Sequence, residues 1–127
     1  MLRRPKISFV IAAYNSCKTL PLVIESVFSQ CSSEVEIVVV DGASSDGTSE
    51  LLRSYREKSI TWISEPDQGI YDAWNKGIQA SRSEWIMFMG ADDYLMEDAL
   101  STYEKFLQGS NGNIEYVSAN VLLKDAS

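Results

Sequence analysis

The 127 residues carry 18 acidic and 11 basic side chains, a net charge of −7, and 45% of them are hydrophobic. That length and balance describe one globular domain, and the negative charge argues against nucleic acid as a partner, because a phosphate backbone would be repelled. The chain has no histidine, which excludes Ser-His-Asp and Cys-His catalysis together with the usual zinc sites.

Arg3, Arg4 and Lys6 are the one basic cluster, read as a solvated end. Cys17 and Cys31 make no disulfide framework and read as structural residues. No signal peptide is in view, so a reducing cytoplasm is the expected setting, and a longer protein could lie against the inner face of a membrane. No apolar run approaches the roughly 20 residues of a membrane-spanning segment. Any metal site must be built from carboxylates, which favours Mg²⁺, Mn²⁺ or Ca²⁺.

Residues 6–13, with Ile7, Phe9, Val10 and Ile11 apolar and little alternation, predict a strand buried on both faces. It ends in Ala12, Ala13, Tyr14 and Asn15. Leu20, Val23, Ile24, Val27 and Phe28 then recur at helical spacing and face a core. Ser16 or Thr19 could cap that helix, and Pro21 is tolerated in its first turn. Residues 35–40 are a second strand, rich in β-branched side chains, that stops at Asp41. Gly42 and Gly47 free the backbone of the next loop, and Ser44, Ser45 and Asp46 can bond back to it. Thr48 is the expected cap of a helix over 48–55.

Residues 60–63 make a short third strand, which Pro66 and Gly69 bring to a turn. Ile70, Ala73, Trp74, Gly77 and Ile78 form another helical stripe, with Asp72 and Asn75 on a neighbouring, solvated face. Residues 85–89 are a wholly apolar fourth strand that runs into Gly90, Ala91, Asp92 and Asp93. A helix over 94–107 and a last strand over 116–123 complete the order. Trp62, Trp74 and Trp85 fall in apolar patterns and read as core.

The alternation of strands and helices predicts an α/β fold: a mostly parallel central sheet with helices on both faces. A parallel sheet puts the carboxyl ends of its strands on one rim, where such folds bind ligands. Three strands end there in polar residues: Tyr14 and Asn15, then Asp41, then Asp92 and Asp93. One such Asp alone would read as a turn-maker; the recurrence points to a site. Asp41 can accept a hydrogen bond from a nucleobase ring N–H or a ribose hydroxyl. Tyr14 either offers its ring to a base or covers the sheet end. Asp92 and Asp93 repel one another unless a cation lies beside them. Mg²⁺ or Mn²⁺ held by one or two carboxylates keeps positions open for diphosphate oxygens. Both residues also suit the start of the following helix, and the two readings are compatible.

At these residues the chain resembles the family 2 glycosyltransferases with the GT-A fold. The likeness rests on KISFVIAAYN at 6–15, IVVVDGASSDGT at 37–48, EPDQGIYDAWNKG at 65–77 and GADD at 90–93, in order over nearly the whole chain. It implies a nucleotide-sugar donor, usually a UDP-sugar, and Mg²⁺ or Mn²⁺ as cofactor. It also implies transfer with inversion to a hydroxyl acceptor (a glycan, a lipid or another), as in polysaccharide biosynthesis. Carried over, Tyr14 lies against the base beside backbone of Ala12, Ala13 and Asn15, and Asp41 bonds the base. Asp92 then takes the ribose and Asp93 the metal, where the family's DxD-type motif stands.

Two departures qualify the likeness. Gly90 replaces the first Asp of that motif. Family members are also longer, so residues 1–127 are expected to form one donor-binding domain, with the acceptor part and the general base beyond it. No residue of the chain is expected to be catalytic: Glu97 and Asp98 suit a first helical turn, and Glu115 and Asp125 have no motif around them. A homo-oligomer is compatible with the sequence. Two rivals share fewer features. Residues 45–48 resemble the DxDGT motif of haloacid-dehalogenase-type phosphotransferases, but Ser44 stands at the nucleophile. A receiver-type signalling module also pairs Asp residues at a strand end, but here the pair comes on a late strand.

Overall fold

The computed structural model describes residues 6–30, 35–55 and 60–109. Its elements are β1 (Ile7–Ala13), α1 (Leu20–Phe28), β2 (Val35–Asp41), α2 (Thr48–Ser54), β3 (Ile60–Ser64), α3 (Ile70–Ala80), β4 (Trp85–Gly90) and α4 (Ala99–Gln108). The strand expected over 116–123 lies outside the described residues, as do Arg3, Arg4, Cys31, Glu115 and Asp125.

The strands form one sheet in the order β3-β2-β1-β4, and every pair is parallel. The continuous apolar runs of β1 and β2 follow from burial on both faces. Phe9, Ile11, Ile37 and Val39 pack on one side with Leu20, Ile24 and Val27 of α1, Leu52 of α2 and Leu100 of α4. Val10, Val38 and Val40 pack on the other with Ala73 and Trp74 of α3. Helices therefore cover both faces, as the sequence predicts. Trp62, Trp74 and Trp85 are half-buried and pack against these clusters. Helix α3 approaches β1 closely at Gly77, where a Cβ would come 2.2 Å from Val10 Cγ1. Among the described residues β4 pairs with β1 on one side and with no strand on the other. Phe88 on that strand is 42% exposed.

At the amino end of the sheet Glu36 is buried in β2. Its carboxylate accepts from Ser8 Oγ at 2.6 Å, from Arg82 N at 2.7 Å and from Arg82 Nε at 3.2 Å. This ties the α3–β4 loop to the sheet. No helix among the described residues is long and apolar enough to cross a membrane.

Three expectations are corrected. The helix expected over 94–107 begins at Ala99, with Asp98 at its N-cap position and φ +64. The cause lies in the last turn of α1 and just beyond it. Ser26 Oγ accepts from Leu95 N, Gln30 Nε2 donates to Met96 O, and Gln30 Oε1 accepts from Leu100 N. These bonds hold residues 95–96 out of the helix and cap α4 from another element. Second, Thr48 is the first residue of α2 rather than its cap; Gly47, at φ +96, takes that place. Third, Asp41 does not lie beyond its strand. It is the last residue of β2, in register with Ala13 and Ser64.

Candidate functional site

The strand order reverses at β1. From β1 the chain runs to β2 and β3 on one side, then crosses to β4 on the other. Loops after neighbouring strands diverge at such a point and leave a crevice at the carboxyl ends. An open cavity of about 740 Å³ lies there. Ala12, Ala13, Tyr14 and Asn15 line it from the end of β1, Gly42 from the end of β2, and Gly90, Ala91 and Asp92 from the end of β4. Asp67 and Gly69 of the β3–α3 loop, and Ile70 and Ala73 of α3, close the remaining wall. Tyr14 is 67% exposed, so its ring is available to a planar ligand.

The first two rim loops are laced together. Asn15 N donates to Ser44 Oγ at 2.7 Å, and Ser45 N donates to Asn15 Oδ1 at 2.9 Å. Ser16 N donates to Thr48 Oγ1 at 3.1 Å, and Cys17 N to Asp46 Oδ2 at 3.1 Å. The Thr48 hydroxyl and backbone N–H both donate to Asp46 Oδ1. The Thr48 hydroxyl, outweighing partial desolvation and joined by the Cys17 and Thr48 N–H groups, holds Asp46 below its ordinary range. Asn15 and Ala43 take positive φ of +48 and +62 inside this lacing.

The residues singled out from the sequence occupy different places. Ala12, Ala13, Tyr14, Asn15 and Asp92 line the cavity together. Asp41 does not: it is fully buried. One of its oxygens accepts the Ser44 hydroxyl, and the other accepts Ser44 N at 3.2 Å and Ser64 Oγ at 2.8 Å. Its contact with the cavity runs through Ser44, which receives the N–H of Asn15. Asp93 turns back, and its Oδ2 accepts Gly90 N at 2.8 Å.

Gly90 decides how the two late carboxylates sit. A Cβ built there would come 3.1 Å from Asp92 Oδ1 and 3.3 Å from Asp93 Oδ2. Both carboxylates therefore converge over a bare Cα. Among the described residues no group of three or more His, Cys, Asp or Glu gathers into a metal cage. Two converging carboxylates and an open cavity fit a Mg²⁺ or Mn²⁺ ion that completes its shell from ligand oxygens and water.

Sequence reasoning passed over Asp67 and the clamp that holds its loop. Lys76 Nζ donates to Pro66 O at 2.9 Å and pairs with Glu65 at 3.1 Å and Asp72 at 3.5 Å. Gln68 N donates to Asp72 Oδ2 at 2.9 Å, and chiefly this bond, against partial desolvation and with help from Lys76, lowers the Asp72 pKa. The available signal was the Asp67-Gln68-Gly69 triplet at a strand end, the same kind of signal that drew attention to Asp41.

Comparison with known proteins places this geometry in context. The model of the family described as Glycosyl transferase family 2 matches residues 8–119. A PGL/p-HBAD biosynthesis glycosyltransferase of Mycobacterium tuberculosis is 30% identical over 127 residues, covering 97% of this chain and 49% of the relative. The succinoglycan biosynthesis protein ExoO of Rhizobium meliloti is 38% identical over 97 residues, covering 76% of this chain and 28% of the relative. The chain thus spans about half the length, or less, of these relatives. Among solved structures, S. aureus TarS 1–349 in complex with UDP-GlcNAc superposes with a TM-score of 0.76 at 25% identity, over 89% of this chain and 37% of TarS. The mannosyltransferase PcManGT from Pyrobaculum calidifontis, in complex with GDP-Man and Mn²⁺, gives 0.73 at 25% identity, over 83% and 33%. These neighbours have the GT-A fold, the architecture expected from the sequence.

Proposed function

Because the chain belongs to glycosyl transferase family 2, we propose that its rim cavity binds a nucleotide-diphosphate sugar, most simply a UDP-sugar, for transfer to a hydroxyl acceptor with inversion. The observation that carries this reading is the cavity at the strand reversal, with an exposed Tyr14 ring on one wall and the Asp92–Asp93 pair over Gly90 at one end. The pair takes the diphosphate end through a divalent cation. Asp92 faces the ligand from the cavity wall, and Asp93 is fixed by Gly90 N. Tyr14 lies against the base, and backbone of Ala12, Ala13 and Asn15 lines its path. Asp41 acts at second hand: it holds Ser44, and Ser44 holds Asn15.

When bound, the cation offsets the charge that builds on the departing diphosphate. The residues of this chain bind and orient the donor so that its anomeric carbon meets an acceptor oxygen in line. Among the described residues the carboxylates of the lining are Asp67 and Asp92. In this reading the general base and the acceptor site are supplied by the part of the longer relatives that these 127 residues do not span. The 127-residue chain binds donor and transfers no sugar, since loss of the base alone costs on the order of 10²–10⁴ in rate.

A thermal-shift titration with UDP and Mn²⁺ tests the reading. Ligand at about 100 times its dissociation constant should add about 2.7 kcal/mol of stability. Asp93→Ala should abolish the Mn²⁺ dependence, and Asp92→Ala should weaken binding while keeping part of it. Absence of any stabilisation by nucleotide in the folded wild type would refute the donor site. Robust glycosyl transfer by this chain would refute the assignment of the base elsewhere.

A further inference from the structure

A lysine close to a diphosphate site invites the reading of a phosphate ligand. Lys76 stands three residues after Ala73, the last residue of α3 that lines the cavity. Its ammonium, however, is fully engaged. It donates to Pro66 O at 2.9 Å and pairs with Glu65 at 3.1 Å and Asp72 at 3.5 Å. An ammonium carries three hydrogens, and three oxygens surround this one. The side chain is 23% exposed and takes no part in the lining.

What Lys76 grips is the loop between β3 and α3. That loop gives the cavity Asp67 and Gly69. Its near end is anchored, because Glu65 N continues the ladder to Asp41 O at 3.0 Å. Its far end is not fixed by its own backbone. Gly69 sits at φ +114, and glycine has many other conformations open to it. The bond from Gly69 N to Asp67 Oδ1 lies inside the loop.

Among the described residues, every hydrogen bond that ties residues 66–69 to the rest of the molecule comes from α3. Lys76 holds Pro66 O, Asp72 Oδ2 holds Gln68 N at 2.9 Å, and Ala73 N holds Gly69 O at 3.1 Å. Asp72 and Lys76 are paired at i and i+4 on one side of the helix, so their two grips form one latch. Losing a bond to a charged group shifts an equilibrium by roughly 10- to 100-fold. Apparent affinity then falls with the fraction of molecules whose wall is in place.

We propose, resting on the donor-site reading above, that Lys76 and Asp72 are positioning residues for the donor: from α3 they latch the β3–α3 loop and hold that wall of the cavity against the nucleotide, without touching the ligand themselves.

The test sets charge against position. Lys76→Met removes a positive charge and Asp72→Ala a negative one. Acting through the wall, both should weaken binding of UDP with Mn²⁺ by roughly tenfold in calorimetric titration. Lys76→Arg, which keeps the charge and the donors, should restore most of the loss. In the nucleotide-free protein both variants should lower the NMR order parameter of the Gln68 amide from about 0.85 toward about 0.6, with the amides of Ile78 and Gln79 in α3 unchanged. Direct attraction of the diphosphate would make the two variants opposite: Lys76→Met weaker, Asp72→Ala tighter. That result, or unchanged UDP affinity in both folded variants, overturns the inference and leaves the donor site standing. Order parameters that fall along the whole of α3 mark a merely structural role and overturn it as well. A wild type that binds no UDP removes the donor site and the inference together.

Discussion

Replacing Gly77 by alanine sets two effects against each other. In an exposed helix the change would stabilise by about 1 kcal/mol, because glycine loses more backbone freedom on folding. Gly77, however, is buried against β1. A Cβ there would lie 2.2 Å from Val10 Cγ1 and 3.3 Å from both Val10 Cβ and Cγ2. Carbon atoms in contact sit about 3.5–4.0 Å apart, so the overlap is more than about 1 Å. Rotating Val10 gives no escape, since both methyls and Cβ crowd the same point and the side chain is fully buried in a central strand. Helix α3 must move off the sheet. Overpacking costs about 1–3 kcal/mol, and displacing a whole helix belongs at the upper end. The net loss is then about 2 kcal/mol after the alanine gain, or roughly 6–10 °C in melting temperature for a chain of this size. Because α3 also carries Ile70 and Ala73 to the cavity, UDP affinity should fall too. Urea denaturation of Gly77→Ala, Val10→Ala and the double variant measures the coupling. The double variant should be at least about 1 kcal/mol more stable than the sum of the single losses implies. A Gly77→Ala protein as stable as the wild type, or an additive cycle, would refute the reasoning.

Three other perturbations have definite expected outcomes. Asp46 is held below its ordinary value of 3.8, first by the Thr48 hydroxyl, so its stabilisation is full above pH 3.8 and is lost as pH falls through the lower folded value. Asp46→Asn should therefore be less stable than the wild type at neutral pH and show a flatter acid-unfolding curve below pH 3.8; superimposable curves would contradict this. Glu36→Ala leaves Arg82 N without its acceptor and Ser8 Oγ with only Ser83, which should cost about 2–4 kcal/mol by chemical denaturation. Nucleotide affinity should not change, because Glu36 sits at the far end of the sheet. Gly90→Ala should lower Mn²⁺-dependent UDP affinity roughly tenfold, about 1.4 kcal/mol, with little change in the melting temperature without ligand. Unaltered affinity would mean that the carboxylates do not work together over Gly90.

The sheet was legible because its cause is local and repeated. Four apolar runs, each closed by a polar or glycine residue, point to parallel strands, and all four described strands are parallel; β1 and β2 are buried on both faces, while β3 and β4 are only part-buried. The stripe at Ile70, Ala73 and Gly77 likewise announced α3. Helix α4 was read too long because the bonds that keep residues 95–96 out of it come from Ser26 and Gln30, far away in sequence. Position along the strand brought Asp41 to notice but not the direction of its carboxylate. That depends on Ser44 and Ser64, which only the folded chain brings around it. Asp67 was missed for the complementary reason: its place in the cavity depends on the smallness of Gly42, a residue on a different strand's loop.

The lacing of the first two rim loops bears on how they move. Four backbone N–H groups, those of Asn15, Ser16, Cys17 and Ser45, are bonded across it, so neither loop opens while the other stays in place. Amides tied in this way exchange with solvent as one cooperative unit. Their four hydrogens should therefore exchange at a common rate, and a substitution at Asn15 should speed exchange at Ser45 as well as at its own position.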